Sequence, residues 1–342
     1  MSTRWYFGDH VNGWRIWGGK SRVAHLVWDR FGNVPNYVEP FAGSLAVLLA
    51  RPHPPGTETV NDLDCYLANF WRAIRFNPAT TAAWADWPVN EADLHARHQW
   101  LVNQKEFRER MKSDPEYYDC RVAGWWVWGL CQWIGSGWCP ASTLGECGDG
   151  DQPRNLPHLG DAGMGINRQL PHLGDAGRGE HIAAYFKALS DRLRNVRVCC
   201  GSWNRVIGDS PTIKHGITGV FLDPPYSDDA DRADLYSAED FSVAHDVREW
   251  AIANGDNPLL RIALCGYEGE HAMPDTWEAV AWKARGGYGS QGEGRGRANA
   301  SRERIWFSPH CLKLPSLFAS HDAQPEQSTT RLPHGSDIDA CK

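Results

Sequence analysis

The segment Asp223-Pro224-Pro225-Tyr226 follows directly after the apolar run Val220-Phe221-Leu222. Such a run predicts a buried strand, so we expect the segment at the carboxyl end of a sheet, where α/β proteins bind ligands. A carboxylate and a prolyl carbonyl held there can accept hydrogen bonds from both hydrogens of an aromatic exocyclic amine. The amine lone pair is then less delocalised into the ring, so the residue types indicate methylation of that nitrogen.

A nucleobase must leave its duplex before such an amine can react, because the amine is paired and stacked there. The ring of Tyr226 is suited to stack on the extruded base, and proline rigidity would hold the acceptors of Asp223 and Pro224 in place. A tight turn after a strand explains a Pro-Pro dipeptide equally well on its own. Whether this segment is catalytic or only a turn therefore depends on an earlier part of the chain.

The earlier segment Glu39-Pro40-Phe41-Ala42-Gly43-Ser44 predicts a strand, a glycine turn and a helix. This geometry lets a nucleotide-like ligand approach the backbone closely. Asp62 follows Gly43 by 19 residues and ends the next predicted strand, which is about the spacing at which a carboxylate meets ribose hydroxyls in such folds. The turn lacks the glycine patterns of NAD and ATP sites, so those ligands are less favoured.

Together these segments resemble the DNA adenine amino-methyltransferases in which the cofactor motif precedes the catalytic motif. The resemblance covers about residues 12–310. It is carried by Trp17-Gly18-Gly19-Lys20, Glu39-Pro40-Phe41-Ala42-Gly43-Ser44, Asn61-Asp62, Asp223-Pro224-Pro225-Tyr226 and the final strand with Arg304-Ile305-Trp306-Phe307.

The resemblance implies a Rossmann-like α/β sheet that binds S-adenosylmethionine, with an inserted target-recognition region. Lys20 would contact the methionine end of the cofactor, and Asp62 would bind its ribose. The implied catalytic residues are Asp223, Pro224, Pro225 and Tyr226. The implied cofactor-binding residues are Trp17, Gly19, Lys20, Glu39, Pro40, Phe41, Ala42, Gly43, Ser44, Asp62, Ser202, Trp203 and Asp223.

Two positions depart from the family pattern. Leu45 stands where the glycine turn usually has a second glycine. Ser202-Trp203 stands where an acidic-aromatic pair commonly meets the adenine of the cofactor. Trp203 can still stack there, and Ser202 can still form a hydrogen bond.

The elements that must position these residues fall into separate stretches. Residues 1–75 and 199–314 carry the strand patterns and predict the catalytic domain with its cofactor and base pockets. Residues 76–198 lack sheet periodicity and predict an inserted, mainly helical and loop-rich target-recognition region. Residues 315–342 read as a loosely ordered tail.

Contacts with double-stranded DNA are expected from two regions. A glycine-rich basic loop near the end of the chain suits phosphate contact through Arg295, Arg297 and Arg302. Within the insertion, the candidates are Trp133 and two loops, His158-Leu159-Gly160-Asp161 and its repeat His172-Leu173-Gly174-Asp175. The repeat favours similar surface loops over a metal site, so no metal is predicted.

Composition limits the remaining classes. The 342 residues carry a net charge of −7, so affinity for nucleic acid cannot depend on overall basicity. Ten cysteines without a Cys-x-x-Cys pair predict reduced thiols in the cytoplasm of a bacterial or phage-infected cell. The uncharged run Val122 to Ile134 is too short to span a bilayer, so no membrane partner is expected.

Several alternatives stay open at this point. Cytosine-N4 methylation uses the same acceptors, RNA or a protein amide could be methylated by similar motifs, and a non-catalytic DNA-binding relative could keep the fold. A restriction endonuclease counterpart is conceivable. The protein is expected to be a monomer or a weak dimer.

Overall fold

The computed structural model describes residues 20, 23–133, 138–139, 180–225, 238–282 and 302–313. Within them, seven strands form one sheet. The strands are β1 (Asn36–Glu39), β2 (Thr57–Asp62), β3 (Val196–Cys200), β4 (Thr218–Leu222), β5 (Leu260–Tyr267), β6 (Glu278–Ala281) and β7 (Glu303–Phe307).

The strand order is β3-β2-β1-β4-β5-β7-β6. Strands β1 to β5 pair in parallel, whereas β7 runs antiparallel to both β5 and β6. The chain leaves β1 toward one edge of the sheet and returns to the other side of β1 as β4. This reversal creates a crevice at the carboxyl ends of β1 and β4, where open α/β sheets bind their ligands.

The inner strands are covered on both faces, and every residue of β1 and β4 is buried. Full burial explains why these strands appear in the sequence as short apolar runs without alternation. The helices are α1 (Ala24–Phe31), α2 (Ala46–Leu49), α3 (Cys65–Phe76), α4 (Pro78–Ala85), α5 (Glu91–Val102), α6 (Lys105–Ser113), α7 (Cys120–Gln132), α8 (Glu180–Leu193) and α9 (Ala238–Asn254).

The predicted α/β class is confirmed, and the strands predicted from apolar runs are present. Strand β6 was not predicted, because its residues Glu278–Ala281 are mostly exposed and form no apolar run. The helix predicted after the glycine turn is present as the short helix α2. The described elements all belong to the compact unit formed by residues 1–312.

The tryptophan-rich helix α7 packs as a core element. Trp126 and Trp128 are buried, and Trp126 contacts Phe70 of α3 with ring centroids 6.0 Å apart. Helices of the 76–198 stretch thereby share a hydrophobic core with the helix that covers the sheet. Whether this stretch is a separate recognition region stays a prediction. In the described part of the chain, no helix is long and apolar enough to cross a membrane.

Candidate active site

The two sequence motifs lie side by side at the crevice. Glu39 is the last residue of β1, and Asp223 directly follows β4. These strands are parallel neighbours, with Val38 in register with Val220. The structure therefore brings the glycine turn and the Asp-Pro-Pro segment to the same edge of the sheet.

Glu39 is almost completely buried, with 2% of its surface exposed. Its Oε2 accepts a hydrogen bond of 2.9 Å from the Tyr37 hydroxyl. Burial raises the pKa of the Glu39 carboxyl well above its ordinary value, and the nearby carboxylates of Asp223 and Asp62 add to the effect, although the Tyr37 hydrogen bond opposes it. A cation arriving beside Glu39 would restore its ionised form.

Asp62 holds the backbone of the glycine turn. Its Oδ2 accepts from the Gly43 N–H at 3.0 Å, and its Oδ1 accepts from the Asp64 N–H at 2.9 Å. Each carboxylate oxygen has a second lone pair, so Asp62 can also accept hydrogen bonds from a ligand. Burial, with the neighbouring Asp64 charge, raises the pKa of Asp62 to about 6.

The side chain of Asn61 supports the same turn from behind. Its Nδ2 donates to the carbonyl of Pro40 at 3.1 Å and to that of Gly201 at 2.9 Å. On the other side of the turn, the Trp71 indole donates to the Gly43 carbonyl at 3.1 Å. The turn is therefore held from several directions and is built before any ligand arrives.

Leu45 adopts a backbone conformation that favours glycine. Its φ is 56° and its ψ is 23°, which is the left-handed region that favours glycine. Gly43 also has a positive φ of 46°. The backbone therefore makes a left-handed bend at position 45 despite the side chain, and the Leu45 side chain is completely buried.

Phe41 and Trp203 form an aromatic wall of the crevice. Their rings are stacked, with centroids 6.2 Å apart and an interplanar angle of 27°. Both are half-buried, so ring surface is accessible, whereas Ser202 is exposed. A flat, aromatic part of a ligand can pack against such a wall.

Lys20 links the beginning of the described chain to the Asp-Pro-Pro segment. Its Nζ lies 3.1 Å from Asp223 Oδ1 and 3.2 Å from Glu303 Oε2. The ammonium also lies over the Trp282 ring, 4.9 Å from its centroid. Burial disfavours the charged form, but the two carboxylates outweigh burial and raise the pKa of Lys20.

The electrostatic character of the crevice suits a cationic ligand. The Glu39 carboxyl lies near those of Asp62 and Asp223, and the Lys20 ammonium is shared by Asp223 and Glu303. This excess of carboxylates matches a sulfonium group with its accompanying ammonium. The residues present therefore fit S-adenosylmethionine.

The structure does not describe every predicted site residue. Pro224 is buried and Pro225 is half-buried next to Asp223, and Ala42 and Ser44 lie in the turn beside Gly43. The predictions for Trp17, Gly19, Tyr226, His158, His172, Arg295 and Arg297 lie outside the described residues.

Two predicted DNA contacts lie away from the glycine turn. Trp133 stacks on His98, with centroids 5.1 Å apart and an interplanar angle of 15°. Arg302 lies over the Tyr267 ring at 5.4 Å, just before β7. Neither observation tests a contact with DNA, so both assignments stay predictions.

Glu303 and Trp282 were not identified from the sequence. Glu303 is separated from Lys20 by 283 residues, and Trp282 follows the unpredicted strand β6. The one available signal was the position of Glu303 as a carboxylate immediately before the predicted final strand, within an otherwise basic stretch.

The sheet order and the meeting of a glycine turn with an Asp-Pro-Pro segment define a Rossmann-like methyltransferase. Residues 17–123 match the family model of the D12 class N6 adenine-specific DNA methyltransferases. Over these residues the chain is similar to that family, whose members are S-adenosylmethionine-dependent enzymes that act on adenine in DNA. The match favours adenine N6 over cytosine N4.

The matched range contains Lys20, the glycine turn and Asp62, and it ends before Asp223 and Glu303. No curated protein matches the chain significantly.

Proposed function

We propose that the crevice between β1 and β4 binds S-adenosylmethionine beside an adenine extruded from duplex DNA, and that Asp223 and the Pro224 carbonyl accept hydrogen bonds from the adenine N6 amine. The observation that carries this proposal is the 3.1 Å contact between Lys20 and Asp223 at the edge where Asp62 holds Gly43. One small space then serves both cofactor and base.

Each residue has a role in this proposal. Glu39 and Lys20 bind the charged methionine end of the cofactor. Asp62 binds its ribose hydroxyls. Phe41 and Trp203 pack against its aromatic ring. Ser202 contributes a hydroxyl at the rim. The negative charge of the crevice supports these assignments, because opposite charges attract strongly where water is partly excluded.

Bound S-adenosylmethionine supplies an electrophilic methyl group, which forms a bond to N6 while the sulfur keeps the electron pair of the broken C–S bond. Asp223 and the Pro224 carbonyl accept hydrogen bonds from the two amine hydrogens, which localises the lone pair on N6 toward the methyl group, and the Asp223 carboxylate then takes the proton that N6 loses. Tyr226 stacks on the base. Proximity and alignment lower the barrier of such reactions by about 7 kcal/mol or more when the geometry is ideal.

Target recognition falls to the 76–198 region in this proposal. In its described part, Trp84 of α4 and Trp87 of the following loop are exposed, and Arg97 and Arg121 lie over indole rings. Arg121 lies over Trp100 at 4.3 Å and over Trp125 at 4.1 Å. Within the described residues Arg121 has no carboxylate at salt-bridge distance, so its positive charge is available to a phosphate.

The wider setting is proposed on the same basis. A duplex-specific enzyme of this class can act with a restriction endonuclease counterpart, and we propose a monomer or weak dimer in the cytoplasm. The eight described cysteines are free thiols, including Cys65 and Cys200 with sulfurs 3.6 Å apart, which is in keeping with a reducing compartment.

An Asp223→Ala variant tests the mechanism. We expect it still to bind S-adenosylmethionine measurably in calorimetry, and to lose labelled methyl transfer to duplex DNA by roughly 100-fold or more, the size of loss seen when one preorganised polar group is removed. Asp256→Ala serves as the matched control, since Asp256 is exposed before β5, at the opposite edge of the sheet. Transfer that survives in Asp223→Ala contradicts the mechanism.

A further inference from the structure

The Lys20 ammonium is held between two carboxylates on different strands. Asp223 follows β4, whereas Glu303 is the first residue of β7. The Nζ distances are 3.1 and 3.2 Å, and the side chains of Lys20, Asp223 and Glu303 are 10, 22 and 12% exposed. These three groups therefore form one partly buried charge cluster, and solvent screens it weakly.

The net charge of this cluster controls how well Asp223 accepts a hydrogen bond. A lone ammonium would neutralise Asp223 and compete with the amine for its oxygen electrons. A second carboxylate on the same ammonium returns the cluster to a net charge of −1. Two carboxylates sharing one cation each keep more acceptor strength than either would have alone with it.

The ammonium also distinguishes the two oxygens of Asp223. Lys20 contacts Oδ1, and the contact with Glu303 restrains the lysine through a second ion pair. The Trp282 ring lies against the ammonium as a third restraint. A lysine held in this way fixes the position of Oδ1 and so limits rotation of the carboxylate.

We propose that Glu303 is a positioning residue for methyl transfer: by sharing the Lys20 ammonium with Asp223, it orients the Asp223 carboxylate and keeps it a strong acceptor for the base amine. This inference rests on the proposed function of Asp223. Glu303 acts through Lys20 and needs no contact with the base.

The charged and titratable neighbours set the sign of the expected pH effect. Besides Lys20 and Glu303, the cluster is close to Glu39 at the end of β1 and to the buried Cys265 thiol of β5. Burial raises the pKa of Cys265 well above its ordinary value, so the thiol stays neutral. Glu303→Gln removes one of the negative charges of the cluster, so proton uptake by the cluster, and with it the acid limb of kcat, should move to lower pH.

The experiment compares Glu303→Gln, Glu303→Asp and Glu268→Gln in methyl transfer to duplex DNA across pH. Glu268→Gln is the matched control, since Glu268 pairs with Arg304 at 2.7 Å beside Glu303 and is 64% exposed. For Glu303→Gln we expect kcat to fall by roughly tenfold, the equivalent of one pKa unit of lost interaction. We also expect the acid limb of kcat to move to lower pH, while KM for DNA and Kd for S-adenosylmethionine change less than about threefold.

Glu303→Asp keeps the charge, so its acid limb should stay with that of the parent protein, and Glu268→Gln should match the parent throughout. An acid limb that does not move in Glu303→Gln overturns the inference, also when kcat is unchanged. If kcat falls together with the thermal midpoint and the acid limb does not move, Glu303 has only a structural role. A parent protein that binds S-adenosylmethionine but transfers no methyl group to DNA refutes the proposed function itself.

Discussion

The carboxylate of Asp62 and the backbone N–H of Gly43 are joined by a hydrogen bond of 3.0 Å. The other oxygen of Asp62 accepts from the Asp64 N–H at 2.9 Å. Asp62 therefore fastens the glycine turn after β1 to the end of β2. The residue assigned to the cofactor ribose also builds the pocket in which the cofactor would bind.

Replacing Asp62 by Asn should weaken cofactor binding. An Asn side chain offers one carbonyl oxygen, so one of the two backbone N–H groups would meet an NH2 group instead of an acceptor. That defect lowers stability, and the ribose hydroxyls also lose a hydrogen bond to a charged carboxylate worth about 1.5–3 kcal/mol, so calorimetry should show Kd for S-adenosylmethionine rising roughly 10- to 150-fold.

Asp119→Asn is the control for this variant. The Asp119 carboxylate also accepts from two backbone N–H groups, those of Arg121 and Val122, but it caps α7 away from the crevice. Asn caps helices as well as Asp does, so cofactor affinity should be unchanged. Equal affinities for Asp62→Asn and the parent protein would show that Asp62 has no part in cofactor binding.

Cofactor affinity should depend on pH because the pKa of Asp62 lies at about 6. Below this value Asp62 holds a proton, and a cationic ligand that needs the carboxylate must displace it. We therefore expect Kd for S-adenosylmethionine to rise toward tenfold per pH unit as pH falls below about 6, and to level off above about 7.

Calorimetry in buffers of different ionisation enthalpy would detect the proton released on binding near pH 6. The raised pKa of Glu39 adds in the same direction, so Asp62→Asn should reduce the pH dependence without removing it. Affinity that stays constant between pH 5 and pH 8 would be inconsistent with this assignment.

Position 45 should reverse the usual preference of a folded protein for Ala over Gly. Leu45 is completely buried, so truncation costs about 2–5 kcal/mol in either case. The φ of 56° costs alanine about 1–2 kcal/mol of backbone strain and costs glycine none. In urea unfolding, Leu45→Gly should therefore be more stable than Leu45→Ala by roughly 1 kcal/mol, less than the full strain because glycine is more flexible when unfolded.

The reverse order of stability would mean that position 45 does not keep its left-handed conformation. Each variant serves as the control for the other, since both remove the same buried branched side chain.

Arg121 should contribute to binding of duplex DNA. The guanidinium lies among Trp84, Trp100 and Trp125 on the helical region. If it contacts one phosphate, Arg121→Ala should lower the slope of log K against log salt by about 0.9 in magnitude. Fluorescence anisotropy with labelled duplex DNA at several salt concentrations measures this slope.

Arg248→Ala on α9 is the matched control, because Arg248 pairs with the exposed Glu249 and lies outside residues 76–198. Its slope should equal that of the parent protein. An Arg121→Ala slope that also equals the parent value would exclude a phosphate contact, and the arginine would then serve only to pack the indole rings.

The local pattern of side chains determined the elements of this fold. Burial on both faces requires apolar residues at consecutive positions, so Val220-Phe221-Leu222 marked a strand that the structure contains. The same pattern showed which residues follow the carboxyl ends of strands. Asp62 and Asp223 could therefore be assigned to one edge of a sheet before any coordinate was known.

Only the tertiary structure decided which distant groups meet. Lys20 and Glu303 are 283 residues apart, and their contact exists because β7 runs antiparallel against β5 at the same edge. Sequence periodicity reports whether a side chain faces a core, but it carries no information about the partner across a sheet. Likewise, Leu45 reads as a helical residue, and packing around a completely buried side chain holds it in a glycine conformation.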